Sequence, residues 1–170
     1  MEFEKLIRDV PDFPKKGIIF KDITTLLQDG DAFRQAINQM VKRYLDSAID
    51  KVVAIEARGF ILGGVLAYKL GCGFVPARKP GKLPARTIRE EYTLEYGSNA
   101  LEIHQDSISK RDRVLIVDDL LATGGTALAA ARLVEKLGGE VVAIEFLIEL
   151  GFLHGREKLL PYPLHSLIVF

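Results

Sequence analysis

Two adjacent carboxylates, Asp118 and Asp119, follow the apolar run Val114-Leu115-Ile116-Val117 and precede a turn that contains threonine and glycine. Carboxylates in this position could hold the hydroxyls of a sugar, or could bind beside Mg²⁺, which would offset their charge next to a phosphate. Aspartate is also common where a strand ends in a turn, so either residue alone is equally consistent with a structural role. Taken alone, the two residues leave both interpretations open.

The turn after the carboxylates has the composition of a phosphate-binding loop. Glycine lets the backbone approach a phosphate closely, threonine adds hydroxyl donors, and the first backbone N–H groups of a helix are unpaired. We expect that helix to begin at Thr126, to be capped by Thr123 or Thr126, and to end near Gly138-Gly139. The predicted phosphate-binding residues are Ala122, Thr123, Gly124, Gly125 and Thr126.

Apolar runs that alternate with amphipathic stretches predict an α/β fold with a central, mostly parallel sheet flanked by helices. The expected strands are residues 51–56, 74–79, 114–117, 140–149 and 164–170. The expected helices are residues 31–47, capped by Asp31, and a helix that starts at Gly59, with a short helical turn in residues 151–160. This order places the two carboxylates and the phosphate loop directly after a buried strand.

Three other segments have weaker patterns. Residues 1–10 have the apolar spacing of a short amphipathic helix, which Pro11 would end. Residues 11–27 predict an irregular segment with a short extended piece near residues 18–23. Residues 87–103 predict a β-hairpin, interrupted by Gly97-Ser98-Asn99.

The composition is that of one compact domain without bulk charge. Of 170 residues, 48% are hydrophobic, and 23 Lys and Arg balance 23 Asp and Glu, so we expect neither nucleic acid nor a membrane as a partner. The single cysteine, Cys72, excludes an intramolecular disulfide, and we find no signal peptide or long apolar span. We therefore expect a cytoplasmic protein. The three histidines lack the spacing of metal ligands.

Residues 114–126 resemble the phosphoribosyl pyrophosphate (PRPP) signature of the type I phosphoribosyltransferase family, with four hydrophobic residues, two acids and a Thr-Gly-Gly-Thr loop. The segments that are similar to the adenine-specific members of that family are residues 11–23, 58–60, 78–84, 94–97 and 155–159. The resemblance implies one domain with an N-terminal hood (residues 1–30), a core (residues 31–170) and a flexible hairpin (residues 86–103). It also implies purine salvage, in which 5-phosphoribosyl passes from PRPP to N9 of adenine, giving AMP and diphosphate.

The resemblance assigns roles around the adenine base. Phe20 would stack on adenine, while backbone groups of Ile19 and Lys21 would pair with its N6 and N1 edge. The hairpin would close over the reactants and bring Glu95 to adenine N7 as a catalytic proton partner, with Tyr96 packing beside it. An exposed carboxylate without a catalytic role is the alternative for Glu95.

A second set of implied roles concerns the ribose and the diphosphate. Asp118 and Asp119 would hold the ribose hydroxyls in catalysis, and Mg²⁺ would bind mainly through PRPP rather than directly to the chain. A non-proline cis peptide near Glu56-Ala57 would turn backbone N–H groups toward the diphosphate. The implied diphosphate-binding residues are Arg58, Gly59, Arg78, Lys79 and Lys82.

Among these, Arg58 would also act in catalysis. Arg78 could reach the site of a neighbouring subunit, so the resemblance implies a homodimer.

Several other functions fit the sequence less well. A transferase for hypoxanthine, guanine, xanthine or orotate is disfavoured because the hood and residues 94–97 do not resemble those relatives. A regulator that senses PRPP without catalysis would usually add a DNA-binding domain, for which the chain has neither spare length nor basic excess. A Rossmann dehydrogenase or a P-loop ATPase fits worse still, since neither glycine motif occurs at the turn.

Overall fold

The computed structural model describes residues 2–94 and 97–170. The strands are β1 (Arg8–Pro11), β2 (Ile19–Asp22), β3 (Lys51–Ile55), β4 (Gly73–Ala77), β5 (Thr87–Leu94), β6 (Gly97–His104), β7 (Arg113–Leu121), β8 (Glu140–Glu149) and β9 (Leu164–Val169). The α-helices are α1 (Thr24–Gln28), α2 (Gly30–Lys42), α3 (Gly59–Leu70), α4 (Gly125–Lys136) and α5 (Gly155–Lys158). Two short 3₁₀ helices span Phe3–Leu6 and Gly151–Leu153.

The central sheet has five parallel strands in the order β4-β3-β7-β8-β9, which confirms the predicted α/β class. A parallel sheet needs a crossover between consecutive strands, and α3 and α4 supply two of these. β7 is the middle strand, and both of its neighbours cover its backbone hydrogen-bonding groups. The strand that carries the two aspartates is therefore enclosed by a parallel strand on each edge.

Each face of the sheet has its own hydrophobic core, because successive side chains of a buried strand point to opposite faces. On β7, Leu115 and Val117 pack with α2 and α3, whereas Val114 and Ile116 pack with α4. The inner face of α4 is built mainly from small residues, so this helix can lie close to the sheet. The start of α4 is thereby fixed relative to the end of β7.

The predicted helix over residues 1–10 is wrong. The chain forms a short 3₁₀ helix and then strand β1, which pairs antiparallel with β2 in a separate two-stranded sheet. The apolar residues Phe3 and Ile7 are buried, as an amphipathic helix would require, but β2 offers backbone partners that an isolated helix of this length could not match. The expected extended piece near residues 18–23 is confirmed as β2.

Other predicted boundaries shift for local reasons. Helix α2 starts one residue before the predicted cap, because the Asp29 carboxylate accepts hydrogen bonds from the N–H groups of Asp31 and Ala32, both at 3.0 Å. It ends at Lys42 rather than at residue 47. Strand β7 runs past the two aspartates to Leu121, since its pairing with β8 continues to that residue.

Two expectations about turns are also wrong. The N-cap of α4 is Gly124, at φ +81°, and no threonine side chain caps the helix. In the hairpin, Gly97 pairs with Leu94, so Gly97-Ser98-Asn99 belong to strand β6 and not to the turn. The hairpin itself is confirmed, and the Glu56–Ala57 peptide bond is cis, as the resemblance implied.

Within residues 2–94 and 97–170, none of the helices has the length and apolar character needed to cross a bilayer.

Candidate active site

The carboxyl ends of β3 and β7 lie side by side at the point where the chain connections diverge. Helix α3 leads from β3 to one edge of the sheet, and α4 leads from β7 toward the other edge. Open α/β sheets bind ligands at such a point. The two strand ends are in close contact, because a Cβ at Gly59 would lie 2.9 Å from Asp118 Oδ1 and 3.1 Å from the Val117 carbonyl oxygen. Glycine at position 59 is required for this approach.

Asp118 and Asp119 place two carboxyl groups at this junction. Asp118 Oδ1 accepts a hydrogen bond from the backbone N–H of Asp119 at 2.8 Å, and Asp119 is buried. Burial, together with the neighbouring Asp119 carboxylate, raises the pKa of Asp118 well above its usual value. A cation or a hydroxyl-bearing ligand at this position would relieve that unfavourable arrangement.

Arg58 connects the junction to the hood. Its Nε donates to Asp119 Oδ2, and its guanidinium carbon lies 5.2 Å from the centre of the Phe20 ring. The Arg58 side chain remains 44% exposed, so its remaining N–H groups can reach solvent or an anionic ligand. Arg58 therefore lies between a residue predicted to hold ribose and one predicted to stack on a base.

The five residues predicted to bind phosphate all line one small pocket, here named the loop pocket, of 140 Å³. The first hydrogen bond of α4 runs from the Leu128 N–H to the Gly124 carbonyl, so the preceding N–H groups lie in the unpaired first turn of the helix. These donors and the helix dipole favour an anion. Asp118, Leu120, Leu121, Ala127 and Phe146 complete the lining.

A second cavity, here named the hood pocket, lies between the hood and the C-terminal segment and has a volume of 490 Å³. It is lined by Gly17, Ile18, Ile19, Lys21, Thr123, Leu150, Phe152, Leu153 and Phe170. Its walls are largely apolar, as is typical of sites for flat organic ligands. Thr123 lines both this cavity and the loop pocket, so the two pockets are neighbours.

The three residues predicted to bind adenine do not all face the hood pocket. Ile19 and Lys21 line it, whereas Phe20 packs edge-on against Phe13, with ring centres 5.2 Å apart, and faces Arg58. Strand alternation explains this division, because neighbouring residues of β2 point to opposite sides. The backbone of β2 therefore lies between the hood pocket and the Phe20 ring.

The predicted basic cluster is anchored by a carboxylate at the end of β3. Glu56 pairs with Arg78 at 2.9 Å and accepts a hydrogen bond from the Lys79 N–H at 2.6 Å. Although burial opposes the shift, these hydrogen bonds lower the pKa of Glu56. Lys79 and Lys82 are exposed. Glu56 thus holds the basic loop beside the peptide that leads into Arg58.

Glu95 and Tyr96 lie outside the described residues, so their predicted roles stay predictions. The stem of their hairpin is attached to the phosphate-loop helix through Glu90, which pairs with Lys136 and with Arg132 at 3.3 Å. These contacts place the described part of the hairpin against α4.

Across the described ranges, no group of three or more His, Cys, Asp or Glu side chains is arranged to hold a metal ion.

Sequence reasoning missed one residue of the site, Gly155. A Cβ at this position would lie 2.1 Å from the Ala122 carbonyl oxygen, so Gly155 contacts the rear of the loop pocket. Gly155 belongs to a segment that resembles the family, but nothing in its local pattern indicates contact with residues more than 30 positions earlier.

Comparison with known proteins agrees with this geometry. Residues 24–159 match the family model described as a phosphoribosyl transferase domain. The adenine phosphoribosyltransferase of Thermotoga petrophila is 59% identical over 170 residues, which is 100% of both chains. This chain belongs to the adenine phosphoribosyltransferase family. It is therefore an enzyme of purine salvage that transfers phosphoribosyl from PRPP to adenine.

Solved adenine phosphoribosyltransferases share the fold over nearly the whole chain. The enzyme from Thermoanaerobacter pseudethanolicus is 58% identical, with a TM-score of 0.94 over 99% of this chain and 98% of the other. The enzyme from Saccharomyces cerevisiae, solved with adenine and an imino-altritol bisphosphate, is 39% identical, with a TM-score of 0.91 over 98% of this chain and 96% of the other. The predicted resemblance and fold are thus confirmed.

Proposed function

We propose that PRPP binds with its 5-phosphate in the loop pocket and that adenine binds against the hood, so that N9 attacks the anomeric carbon with inversion. The observation that supports this most directly is Arg58, whose Nε donates to Asp119 and whose guanidinium carbon lies 5.2 Å from the centre of the Phe20 ring. A ligand that carries a phosphate and a base on one ribose could therefore reach from the loop pocket past Asp119 to Phe20. The 5-phosphate does not react, so its contacts serve to orient the sugar.

In this proposal, Asp118 and Asp119 hold the ribose 2- and 3-hydroxyls. The sugar gains positive charge as the diphosphate leaves, and the two carboxylates favour that charge. Burial and the neighbouring Asp119 carboxylate raise the pKa of Asp118, and positive charge on the sugar would act in the opposite direction by favouring its ionised form. No protein nucleophile is required.

We propose that the diphosphate is bound by Arg58, Gly59, Arg78, Lys79 and Lys82. Arg58 is poised for this role, since Asp119 fixes its Nε and leaves the rest of the guanidinium partly exposed. Gly59 is the first residue of α3, at the end of the helix where its dipole favours an anion.

We propose that Mg²⁺ accompanies PRPP and is bound mainly by PRPP oxygens. The site fits such an ion because its carboxylate oxygens are hard donors and Asp118 lies in the loop pocket lining. Mg²⁺ supplies positive charge that offsets the charge of the diphosphate. The chain itself orients the sugar between Asp118 and the loop.

Adenine is proposed to stack on Phe20, with backbone groups of Ile19 and Lys21 reading its N6 and N1 edge. In the described part of the chain, β2 pairs only with β1, so its other edge can offer backbone groups to a base. Glu95 is proposed as the proton partner of adenine N7, with Tyr96 beside it. We propose that their hairpin (residues 86–103) is flexible and closes over the reactants.

We further propose that the chain acts as one domain, with a hood (residues 1–30) and a core (residues 31–170), in a cytoplasmic homodimer. Arg78 would then reach the neighbouring subunit's diphosphate site. Exposed apolar residues on α3 and the edge strand β4 support an interface there, namely Ile61, Tyr68 and Phe74.

The test is AMP formation from PRPP and adenine with Mg²⁺, measured beside hypoxanthine and guanine in the same buffer. We expect product with adenine only, which would assign base selection to the hood. Product with hypoxanthine or guanine would contradict that assignment. Saturable PRPP binding without product from any base would favour a sensing role and remove the one proposed for Glu95.

A further inference from the structure

The loop pocket has a rear wall that comes from a distant part of the chain. A Cβ at Gly155 would lie 2.1 Å from the Ala122 carbonyl oxygen and 3.1 Å from the Gly124 nitrogen. Conversely, a Cβ at Gly124 would lie 2.5 Å from the Gly155 carbonyl oxygen. The two backbones are therefore in direct contact, and any movement of Gly155 must move the loop.

The residue after Gly155 is held by a network of hydrogen bonds. Arg156 donates from Nε and Nη2 to the two carboxylate oxygens of Glu149, at 3.0 and 2.5 Å, and from Nη1 to the Leu164 carbonyl at 3.1 Å. The Ser166 hydroxyl donates to the same carboxylate at 2.7 Å. Such a bidentate pair fixes both the distance and the orientation of the guanidinium.

Glu149 lies beside the end of β7, the strand that leads into the phosphate loop. It is buried, and on β8 it pairs with Leu121, the last residue of β7 before Ala122. The hydrogen bonds from Arg156 hold the pKa of Glu149 below its usual value, so the carboxylate stays charged at neutral pH. The end of β7 is thus connected to Glu149 by strand pairing, Glu149 to Arg156 by hydrogen bonds, and the neighbouring Gly155 to the phosphate loop by backbone contact.

We propose that the Glu149–Arg156 ion pair is a positioning element for the 5-phosphate site, acting through Gly155. Neither Glu149 nor Arg156 is among the described residues that line the loop pocket or the hood pocket. The pair therefore sets the shape of the loop without contacting the substrate. This inference rests on the proposed binding of the 5-phosphate in the loop pocket.

The proposal is tested with Arg156→Lys, which keeps the charge but loses the bidentate geometry. We expect the KM for PRPP and the Kd for ribose 5-phosphate, measured by calorimetry, to rise about tenfold, because positioning contacts of this kind control ligand geometry. The KM for adenine should stay within about twofold of wild type, because neither side chain of the pair lines the hood pocket or belongs to the hood. Ser166→Ala is the milder variant and should shift the same two constants in the same direction by a smaller factor.

Arg113→Lys is the matched control. Like Arg156, Arg113 donates to a carboxylate and to a backbone carbonyl, here those of Glu140 at 3.5 Å and Ser47 at 3.1 Å. It connects β7 to β8 at the end of the sheet opposite Glu149. This variant should leave both KM values unchanged. The proposal is overturned if Arg156→Lys and Ser166→Ala leave ribose 5-phosphate binding unchanged, or if they shift the KM values for PRPP and adenine equally.

Failure of the proposed 5-phosphate site would give a different result, because ribose 5-phosphate would then not bind the wild-type enzyme at all. Wild-type binding that Arg156→Lys and Ser166→Ala leave unaltered would reject only the positioning role.

Discussion

The loop pocket and the hood are held in different ways. The loop pocket lies between the central strand and a close-packed helix, and Gly155 contacts its rear, so its geometry is set by backbone packing on several sides. The hood is a two-stranded sheet in which residues 11–19 are all exposed. Phe3, Ile7, Ile23 and Leu26, on either side of this sheet, are buried in the core, so the exposed part of the hood is the sheet itself with its connecting loop.

The contacts made by the side chains of β2 are individually weak. Lys21 pairs with Asp9 of β1 at 2.7 Å, within the hood, and its Nζ lies 3.8 Å from the centre of the Phe170 ring. Arg58 lies near Phe20. Ion pairs and cation–π contacts at partly exposed positions each contribute only about 0.5–1 kcal/mol. In the proposed binding mode, the 5-phosphate would be held by closely packed backbone, whereas the base would be held by a more exposed part of the chain.

The largest expected effect comes from disturbing the packing of the loop. Gly124→Ala should lower kcat/KM for PRPP about 100-fold, since a displacement near 1 Å has that order of effect on transfer. The Cβ would lie 2.5 Å from the Gly155 carbonyl oxygen, and φ of +81° is unfavourable for alanine. Steady-state kinetics at varied PRPP measure this.

Gly64→Ala is the control, because a Cβ there has nothing within 4 Å. It should keep wild-type kinetics. Wild-type kinetics in Gly124→Ala as well would show that contact with Gly155 does not set the loop.

The next effect concerns charge at the junction. The double substitution Asp118→Asn with Asp119→Asn should reduce kcat at least about tenfold, because it removes the negative charge that favours a cationic sugar. Circular dichroism should show an intact fold. Asp31→Asn, an exposed aspartate on α2, should leave kcat unchanged. Full turnover in the double variant would overturn the role assigned to the two carboxylates.

A smaller effect is expected at the hood. Phe20→Leu should raise the KM for adenine roughly fivefold, since loss of aromatic stacking costs about 1 kcal/mol. The KM for PRPP should not change, because the loop is held independently. Phe13→Leu removes only the edge-on neighbour of Phe20 and should have a lesser effect. Equal changes in the two KM values for Phe20→Leu would contradict the separation of the two regions.

The smallest effect on catalysis is expected at a buried carboxylate away from both pockets. Burial raises the pKa of Glu145 to about 7 from 4.5, and Tyr44 and Arg43 bond to the carboxylate at 2.5 and 3.2 Å. The folded protein therefore binds a proton that the unfolded chain releases near pH 4.5. This contribution to stability is fully present below pH 4.5 and is lost as pH rises through 7.

Glu145→Gln should remove that dependence. The Tm of the wild type should fall relative to the variant between about pH 5 and pH 7.5, while both KM values stay unchanged. Parallel Tm profiles for the two proteins would refute the raised pKa. Glu140→Gln, at an exposed position of the same strand, should leave the wild-type profile intact.

Local sequence was enough to predict the loop pocket. Its five residues are consecutive, and the strand before them and the helix after them have clear apolar patterns, so β7, the turn and α4 follow from neighbours along the chain. The same holds for β8, where the predicted bounds 140–149 agree with the structure.

Contacts between distant segments could not be predicted in this way. The first ten residues have a helical apolar pattern, but β2 supplies hydrogen bonds that no local pattern reveals. Glu145 lies within an apolar run, and its partners Arg43 and Tyr44 are about a hundred positions earlier in the chain. The fit of Gly155 against Gly124 likewise depends on tertiary packing.

The Arg58 side chain contacts both Asp119 and the Phe20 ring, which has a consequence for the supply of nucleotide. In the proposed binding mode, AMP carries the base and the 5-phosphate on one ribose, so one product molecule would block the entry of both reactants. The enzyme could not begin another turnover until that molecule left. Accumulated AMP would therefore slow its own synthesis through the active site alone, and salvage would fall as the nucleotide pool filled.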